Sequence, residues 1–264
     1  MWISPDGKFH KLVVVEGDWG KKPSEQTECK IFVSDCPDSF LEYNNTSVVI
    51  GDSDSETRRN LDLCLITMNE GETAKFRITA ENVSFTLKLE NMKFNSYIYE
   101  WDAKKKYEIA QHHKERGVEL YKQNRGKDAA HRFIRGLKVL SSIPIDVETP
   151  PEQIDTIPLD DINKLKANLY NNLASFYLKK QDWLLTIGTC KRVFDFDKDS
   201  VKAHYKLAVA YIKDKNLEAA EKELDVVLAA EPNNRAAIDH MKHVKEEIRK
   251  ANVKFNMMVK KMFT

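Results

Sequence analysis

The stretch at residues 201–232, VKAHYKLAVAYIKDKNLEAAEKELDVVLAAEP, predicts the architecture of most of this 264-residue chain. Ala208 and Tyr211 fall in a first segment with helical spacing, and a second segment follows after a short polar turn. A helical hairpin repeat of about 34 residues needs a small residue at position 8, an aromatic residue at position 11 and apolar fillers in its second helix. Ala220, Leu224 and Val227 supply those fillers, and Pro232 closes the unit.

Two earlier segments share this register. Ala174 precedes Ala208 by one full repeat length. Gly117 lies more than one repeat length further upstream, and the proline-rich insertion IPIDVETPPEQIDTIPLDD, which cannot continue a helix, accounts for the excess. The pattern resembles three tetratricopeptide repeats (TPRs) at 110–143, 167–200 and 201–234. The other matching residues are Leu120, Ala129, Phe133 and Gly136 in the first unit, and Tyr177, Cys190 and Val193 in the second.

A long terminal helix is predicted at 235–263, beyond the third repeat. Its inner stretch carries Ala236, Met241, Val244 and Ile248, which we expect to cover the exposed apolar end of the array, as a repeat array requires.

The N-terminal part of the chain has a different period. Short alternating runs such as AKFRIT and VSFTLKL predict a small antiparallel sheet. One helix should begin near Ser55 and place Leu61, Cys64, Leu65 and Met68 on one buried stripe. The period changes near residues 95–102, which predicts domains at 1–96 and 102–264.

Two N-terminal stretches resemble a known family. DGKFHKLVVVEGDWGKKP resembles the opening strand and loop of an FKBP, and MNEGETAKFRI resembles the end of its helix and the next strand. With three repeats after it, the arrangement resembles the large FKBP immunophilins. The implied fold class is α+β: an FKBP-like antiparallel sheet with one helix, followed by an all-α TPR solenoid of three repeats and a capping helix.

The chain departs from the FKBP pattern in the pocket. Phe85 matches the pocket Phe of the last strand, but Leu61 stands where the family has Trp, and Thr57 and Arg58 replace a Val-Ile pair. Only TAEN remains of a long loop. Isomerisation requires an enclosed apolar pocket that twists and desolvates an X-Pro amide. A charged Arg58 and the loss of the loop leave no such pocket, so we expect no isomerase activity and assign no catalytic residue. A residual isomerase and a passive scaffold remain as alternatives to a partner-binding adaptor.

The chain resembles most the noncanonical, FKBP-like branch of this family. This resemblance implies that the protein binds and supports a casein kinase I of the Doubletime type in circadian timing. The family's repeat groove grips the acidic C-terminal tail of heat-shock protein 90 with a carboxylate clamp, and the matching positions are Lys114, Asn172, Lys202 and Lys206. Val118 replaces the usual Asn and weakens the clamp. The alternative is that these lysines are ordinary solvated residues.

The outer stretch of the terminal helix presents Phe255, Met258, Val259 and Met262 at i, i+3, i+4 and i+7 within a basic segment. We interpret this stripe as a docking face for a partner, with calmodulin suggested by the family resemblance. Alternatively, it folds back on the array or pairs between copies.

Composition excludes several classes of function. Residues 1–100 carry 11 Lys+Arg against 17 Asp+Glu, whereas the rest carries 31 against 24, so a net charge of +1 hides a basic second part. The four cysteines and the pairs His112-His113 and His240/His243 lack the spacing of a metal site. We expect no metal, no cofactor, no nucleic acid and no membrane partner. Unpaired cysteines favour the cytoplasm and leave the nucleus open.

Overall fold

The computed structural model describes residues 1–146 and 148–262, so Val147, Phe263 and Thr264, including the predicted end of the terminal helix, lie outside it. The chain divides into two compact units, Met1–Asp102 and Ala103–Thr264. In the described part of the chain, no helix is both long and apolar enough to cross a membrane.

The first unit is a six-stranded antiparallel sheet with the strand order β1-β2-β5-β6-β3-β4. This confirms the sheet that the alternating runs predicted. A 3-10 turn at Ile98–Glu100 follows it. The strands are β1 (Trp2–Ile3), β2 (Phe9–Val15), β3 (Glu28–Ser34), β4 (Thr46–Val49), β5 (Thr73–Ile78) and β6 (Val83–Lys93).

Two helices accompany this sheet, where the sequence predicted one. The predicted helix is α2 (Glu56–Leu65), and the Ser55 hydroxyl caps it by accepting a hydrogen bond from the Arg58 amide at 3.1 Å. Its predicted stripe is buried in the core of the first unit. The helix that was missed is α1 (Asp38–Leu41), a single turn whose one buried residue is Phe40. Such a turn is too short to show a helical period.

The second unit consists of helical hairpins, as the repeat register predicted. A small hairpin of β7 (Gln153–Ile154) and β8 (Ile157–Pro158) lies within the proline-rich insertion. The helices are α3 (Ala103–Lys122), α4 (Gly126–Ser141), α5 (Leu159–Lys179), α6 (Trp183–Phe194), α7 (Val201–Lys213), α8 (Leu217–Ala230) and α9 (Arg235–Met262).

The inner stretch of α9 packs on the third hairpin. Ala237, Met241 and Val244 are buried in one cluster with α7 and α8, and Ile248 packs against it. Ala236 is exposed, so its predicted capping role is wrong. The buried stripe runs through residues 237, 241, 244 and 248, and Ala237 rather than its neighbour shares that face.

At the positions where the two helices of a hairpin come closest, residue size differs from one hairpin to the next. In the first hairpin Gly117 meets the ring of Phe133, and a Cβ at residue 117 would lie 2.5 Å from that ring. In the third hairpin the same positions hold Ala208 and Leu224, which share one buried cluster. A larger residue on one helix is therefore matched by a smaller one on the other.

This match predicts opposite effects for one substitution at two glycines. Gly117→Ala should lower the free energy of unfolding by about 1–2 kcal/mol, because overpacking against the buried Phe133 ring outweighs the gain in helix propensity. Gly188→Ala, in α6 with no atom within 4 Å of the added Cβ, should instead raise it by about 0.5–1 kcal/mol. Chemical unfolding followed by circular dichroism measures both.

A rescue variant tests the cause. Gly117→Ala with Phe133→Leu recreates the Ala-Leu pair of the third hairpin, so its loss of stability should be smaller than the sum of the two single losses. Additive losses would contradict the proposed steric match.

Candidate peptide-binding groove and altered FKBP pocket

The first unit carries a buried ion pair at Arg58, one of the positions predicted to alter the pocket. The Arg58 guanidinium pairs with the Asp62 carboxylate one turn along α2 and donates a hydrogen bond to the Val49 carbonyl at 2.9 Å. Asp62 also accepts a hydrogen bond from the Gly51 amide at 3.1 Å. Burial raises the pKa of Asp62, and the Arg58 charge opposes that rise. Arg58 is thus fixed by partners in its own unit.

The apolar residues predicted to match pocket positions, Leu61 and Phe85, belong to the packed core. Leu61 is fully buried, and the ring of Phe85 stacks on Phe40 at 4.6 Å and on Phe76 at 5.9 Å between centroids. Thr57 is half-buried at the start of α2. Residues 79–82 alone join β5 to β6, so the short connection expected from TAEN is present. The short helix α1 therefore brings the Phe40 ring against Phe85, the residue predicted to match the family's pocket Phe.

Two of the predicted clamp lysines lie one turn apart on α7. Lys202 is exposed, whereas Lys206 is half-buried and its ammonium donates to both the carbonyl and the Oδ1 of Asn171, at 3.2 and 3.1 Å. The Asn171 amide in turn donates to the Ser200 hydroxyl at 3.1 Å. Packing between α5 and α7 therefore holds the Lys206 ammonium in place.

The electrostatic surroundings of Lys206 disfavour its charge. Burial lowers the pKa of the ammonium, and the nearby charge of Lys202 lowers it further. In the described part of the chain, none of the groups that shift this pKa is a carboxylate. An anion bound here would offset both effects.

The other predicted clamp residues lie on α3 and α5. Lys114 and Val118 are half-buried, one turn apart on α3, and Asn172 is half-buried on α5. Within residues 1–146 and 148–262, no hydrogen bond occupies the Asn172 side chain. The structure thus brings Lys206 to Asn171, which sequence reasoning did not single out, and leaves the amide of Asn172 available. The sequence contains no signal that distinguishes Asn171, the partner of Lys206, from Asn172, the predicted clamp residue.

The outer stretch of α9 is exposed. The exposed fractions are 64% for Phe255, 54% for Met258 and 79% for Met262, and Val259 is half-buried. Val253 and Met257 add apolar surface that the stripe did not include.

No group of three His, Cys, Asp or Glu that could hold a metal ion occurs among the described residues. His113 is buried with its Nδ1 at 3.2 Å from the Arg132 guanidinium, which explains its place in the core. Burial raises the pKa of the Cys29 and Cys190 thiols to about 12, so neither is a thiolate near neutral pH. Cys64 is also buried, in the core of the first unit, and Cys36 is half-buried against that core.

Both units of the chain are similar to known proteins. A tetratricopeptide repeat family model matches residues 177–242. The chain is 28% identical to a mouse FK506-binding protein-like protein, over 100% of this chain and 73% of that one. It is 29% identical to the Drosophila melanogaster protein Bride of doubletime, over 78% of this chain and 70% of that one.

A solved structure is similar to the second unit. It is the C-terminal TPR-containing domain of an FK506-binding protein from Plasmodium falciparum, with a TM-score of 0.51 and 28% identity, covering 59% of this chain and 98% of that domain. An antiparallel sheet followed by helical hairpins is the arrangement expected from the resemblance to the large FKBP immunophilins. The chain is similar to FKBP-like proteins with a TPR domain.

Proposed function

We propose that this chain is a catalytically silent adaptor whose TPR groove binds the acidic C-terminal segment of a partner protein. The observation that carries the proposal is the pair Lys202 and Lys206, two neighbouring cations with a lowered pKa at Lys206 and no carboxylate among the described groups that shift it. A terminal carboxylate supplies the missing charge, and a lysine ammonium binds it with charge-assisted hydrogen bonds.

Helix geometry supports a shared ligand. Lys114, Asn172 and Lys206 lie on the first helices of three successive hairpins, α3, α5 and α7. Lys206 is held by Asn171, so part of its entropy loss on binding is already incurred in the free protein. Asn172 offers an amide that can donate to the same carboxylate.

The pocket supports catalytic silence. Arg58 is engaged by Asp62, and Phe85 packs on Phe40 in the core, so these groups serve stability in our proposal. Prolyl isomerisation faster than the spontaneous rate in a protease-coupled assay would instead favour the residual isomerase. A chain that binds neither peptide nor client would favour the passive scaffold.

Two partners fit this proposal. The tail of heat-shock protein 90 ends in the acidic segment that the family's clamp accepts, and it is the first ligand to test. The likeness to Bride of doubletime supports the casein kinase I of the Doubletime type as a second partner, and hence a role in circadian timing.

The experiment uses the intact chain and a peptide ending in Glu-Glu-Val-Asp. Calorimetry should show binding of the free acid and a loss of about tenfold or more for the C-terminal amide, because the amide removes a charge-assisted contact. Val118→Asn, which restores a donor, should tighten binding of the acid. Equal affinities for acid and amide would contradict the clamp.

The exposed stripe on α9 favours a second candidate function, docking of an acidic, Met-rich partner such as calmodulin. Removing residues 253–264 should abolish capture of calcium-loaded calmodulin while leaving the melting temperature nearly unchanged, because Phe255 and Met258 are more than half exposed. Phe255→Glu with Met258→Glu is the matched point variant. A fall of many degrees on truncation would assign the stripe to the core.

A further inference from the structure

A basic cavity of about 400 Å³ lies in the second unit, beside the turn between α3 and α4 and the end of α5. It is separate from the predicted clamp positions. Two aromatic rings and four cations line it, together with one carboxylate, that of Asp128, among the described lining residues. The aromatic and cationic residues are Tyr121, Arg125, Lys127, Phe176, Lys179 and Lys180.

Packing fixes the aromatic wall. The Tyr121 hydroxyl donates to the Ser175 carbonyl at 3.3 Å and so ties α3 to α5. Gly126 starts α4 directly over the Phe176 ring, where a Cβ would lie only 3.1 Å away. The absence of a side chain at residue 126 keeps this part of the cavity open.

The charges of the cavity are unbalanced. Arg125 forms an ion pair with Asp128 at 3.1 Å. The Lys179 ammonium donates to the Asn124 side-chain oxygen at 3.1 Å and lies 5.5 Å from the centre of the Tyr121 ring. Lys127 and Lys180 are exposed at the rim, and neither has an ion-pair partner in the described part of the chain. The cavity therefore favours an anion.

The position of the cavity sets which group reaches it. Tyr121 follows Lys114 by seven residues on α3, and Lys179 follows Asn172 by seven on α5, so the cavity lies about 10 Å from Lys114 and Asn172 along their helices. An extended peptide advances about 3.3 Å per residue. About three residues of peptide span that distance.

We infer that this cavity binds a glutamate side chain about three residues before the terminal carboxylate of the bound peptide. The inference rests on the proposed function, because the clamp fixes the register. The glutamate methylenes pack on Tyr121 and Phe176, and its carboxylate meets Lys179 and Lys180. The cavity thus adds selectivity for an internal acid to recognition of the chain end.

The test uses calorimetry with the intact chain and three acetylated peptides. The reference is Ala-Ala-Glu-Ala-Ala-Asp as the free acid, the second replaces Glu with Gln, and the third is the C-terminal amide of the reference. The Gln peptide should bind about tenfold more weakly than the reference, as loss of a charge-assisted contact requires. In the double variant Lys179→Gln with Lys180→Gln, the Glu and Gln peptides, both as free acids, should bind with equal affinity.

Lys191→Gln on α6 is the control for the loss of a positive charge, and thermal melting confirms that each variant is folded. Equal binding of the Glu and Gln peptides to the native chain overturns the inference, as does a preference for Glu that persists in the double variant. The amide peptide reports on the clamp alone. If the amide binds more weakly but the Glu and Gln peptides bind equally, the proposed function stands and only this inference fails. Equal binding of the amide contradicts the clamp instead.

Discussion

Arg58→Met is expected to lower the free energy of unfolding of the first unit by about 3–5 kcal/mol at pH 7, since it leaves the buried Asp62 carboxylate without its cation. The hydrogen bond from Arg58 to the Val49 carbonyl is lost as well. Methionine retains most of the aliphatic volume, so a cavity contributes little. Equilibrium unfolding followed by tryptophan fluorescence measures the change.

The loss should depend on pH in a defined direction. Burial already raises the pKa of Asp62, and without the Arg58 charge only the hydrogen bonds from Gly51 and Ser53 oppose that rise. A carboxyl with a raised folded pKa stabilises the fold below its unfolded pKa, near 3.9, and loses that contribution as pH rises through the folded value. The penalty of the variant should therefore be larger at pH 8 than at pH 4.5.

A second substitution provides the control. Arg58→Met with Asp62→Leu removes both charges, and apolar replacement of a buried ion pair is often close to neutral. Its stability should lie near that of the native chain and should lose the extra pH dependence. A single variant as stable as the native chain at pH 8 would show that the ion pair is not the stabilising element.

Lys114→Glu with Lys202→Glu should reduce the affinity for the acidic C-terminal peptide by at least about a hundredfold. Each charge-assisted contact contributes roughly 1.5–3 kcal/mol, and reversal adds repulsion to the loss. Calorimetry with the peptide ending in Glu-Glu-Val-Asp measures the effect. Lys202 is exposed and Lys114 is only half-buried, so the fold should tolerate the change.

Lys191→Glu with Lys245→Glu makes the same change of net charge away from the predicted clamp, on α6 and α9. Its binding should fall only slightly and should recover with salt, because long-range steering is screened. An equal loss in both double variants would mean that net charge, rather than the groove, attracts the peptide.

Much of the second unit could be predicted from the sequence because its contacts are local. A hairpin brings together residues of two consecutive helices, such as Gly117 and Phe133, and each later unit places the equivalent contact at the same positions of its own hairpin. Helical period and repeat length therefore fix which residues meet. The α9 cap was misplaced by one residue, at Ala236 instead of Ala237, since adjacent alanines carry no sign of the buried face.

The candidate sites needed the tertiary structure. Sequence position named Asn172 for the clamp, but the partner of Lys206 is Asn171, because the relative rotation of α5 and α7 decides which amide faces the ammonium. The basic cavity was not predicted at all. Its residues come from two stretches, 121–128 and 176–180, that no sequence period connects.

Residue identity and order were enough to predict the α+β class and the repeat register. The replacement of the pocket residues at Thr57, Arg58 and Leu61 stays a prediction from the family resemblance. The class and the register depend on periodicity and residue type, which the chain order carries directly. Other contacts became visible only in the folded chain: Phe40 packs on Phe85, Asp62 neutralises Arg58, and Lys179 and Tyr121 share one cavity. Those contacts depend on how separate elements are placed in space, and side-chain direction is settled by packing among them.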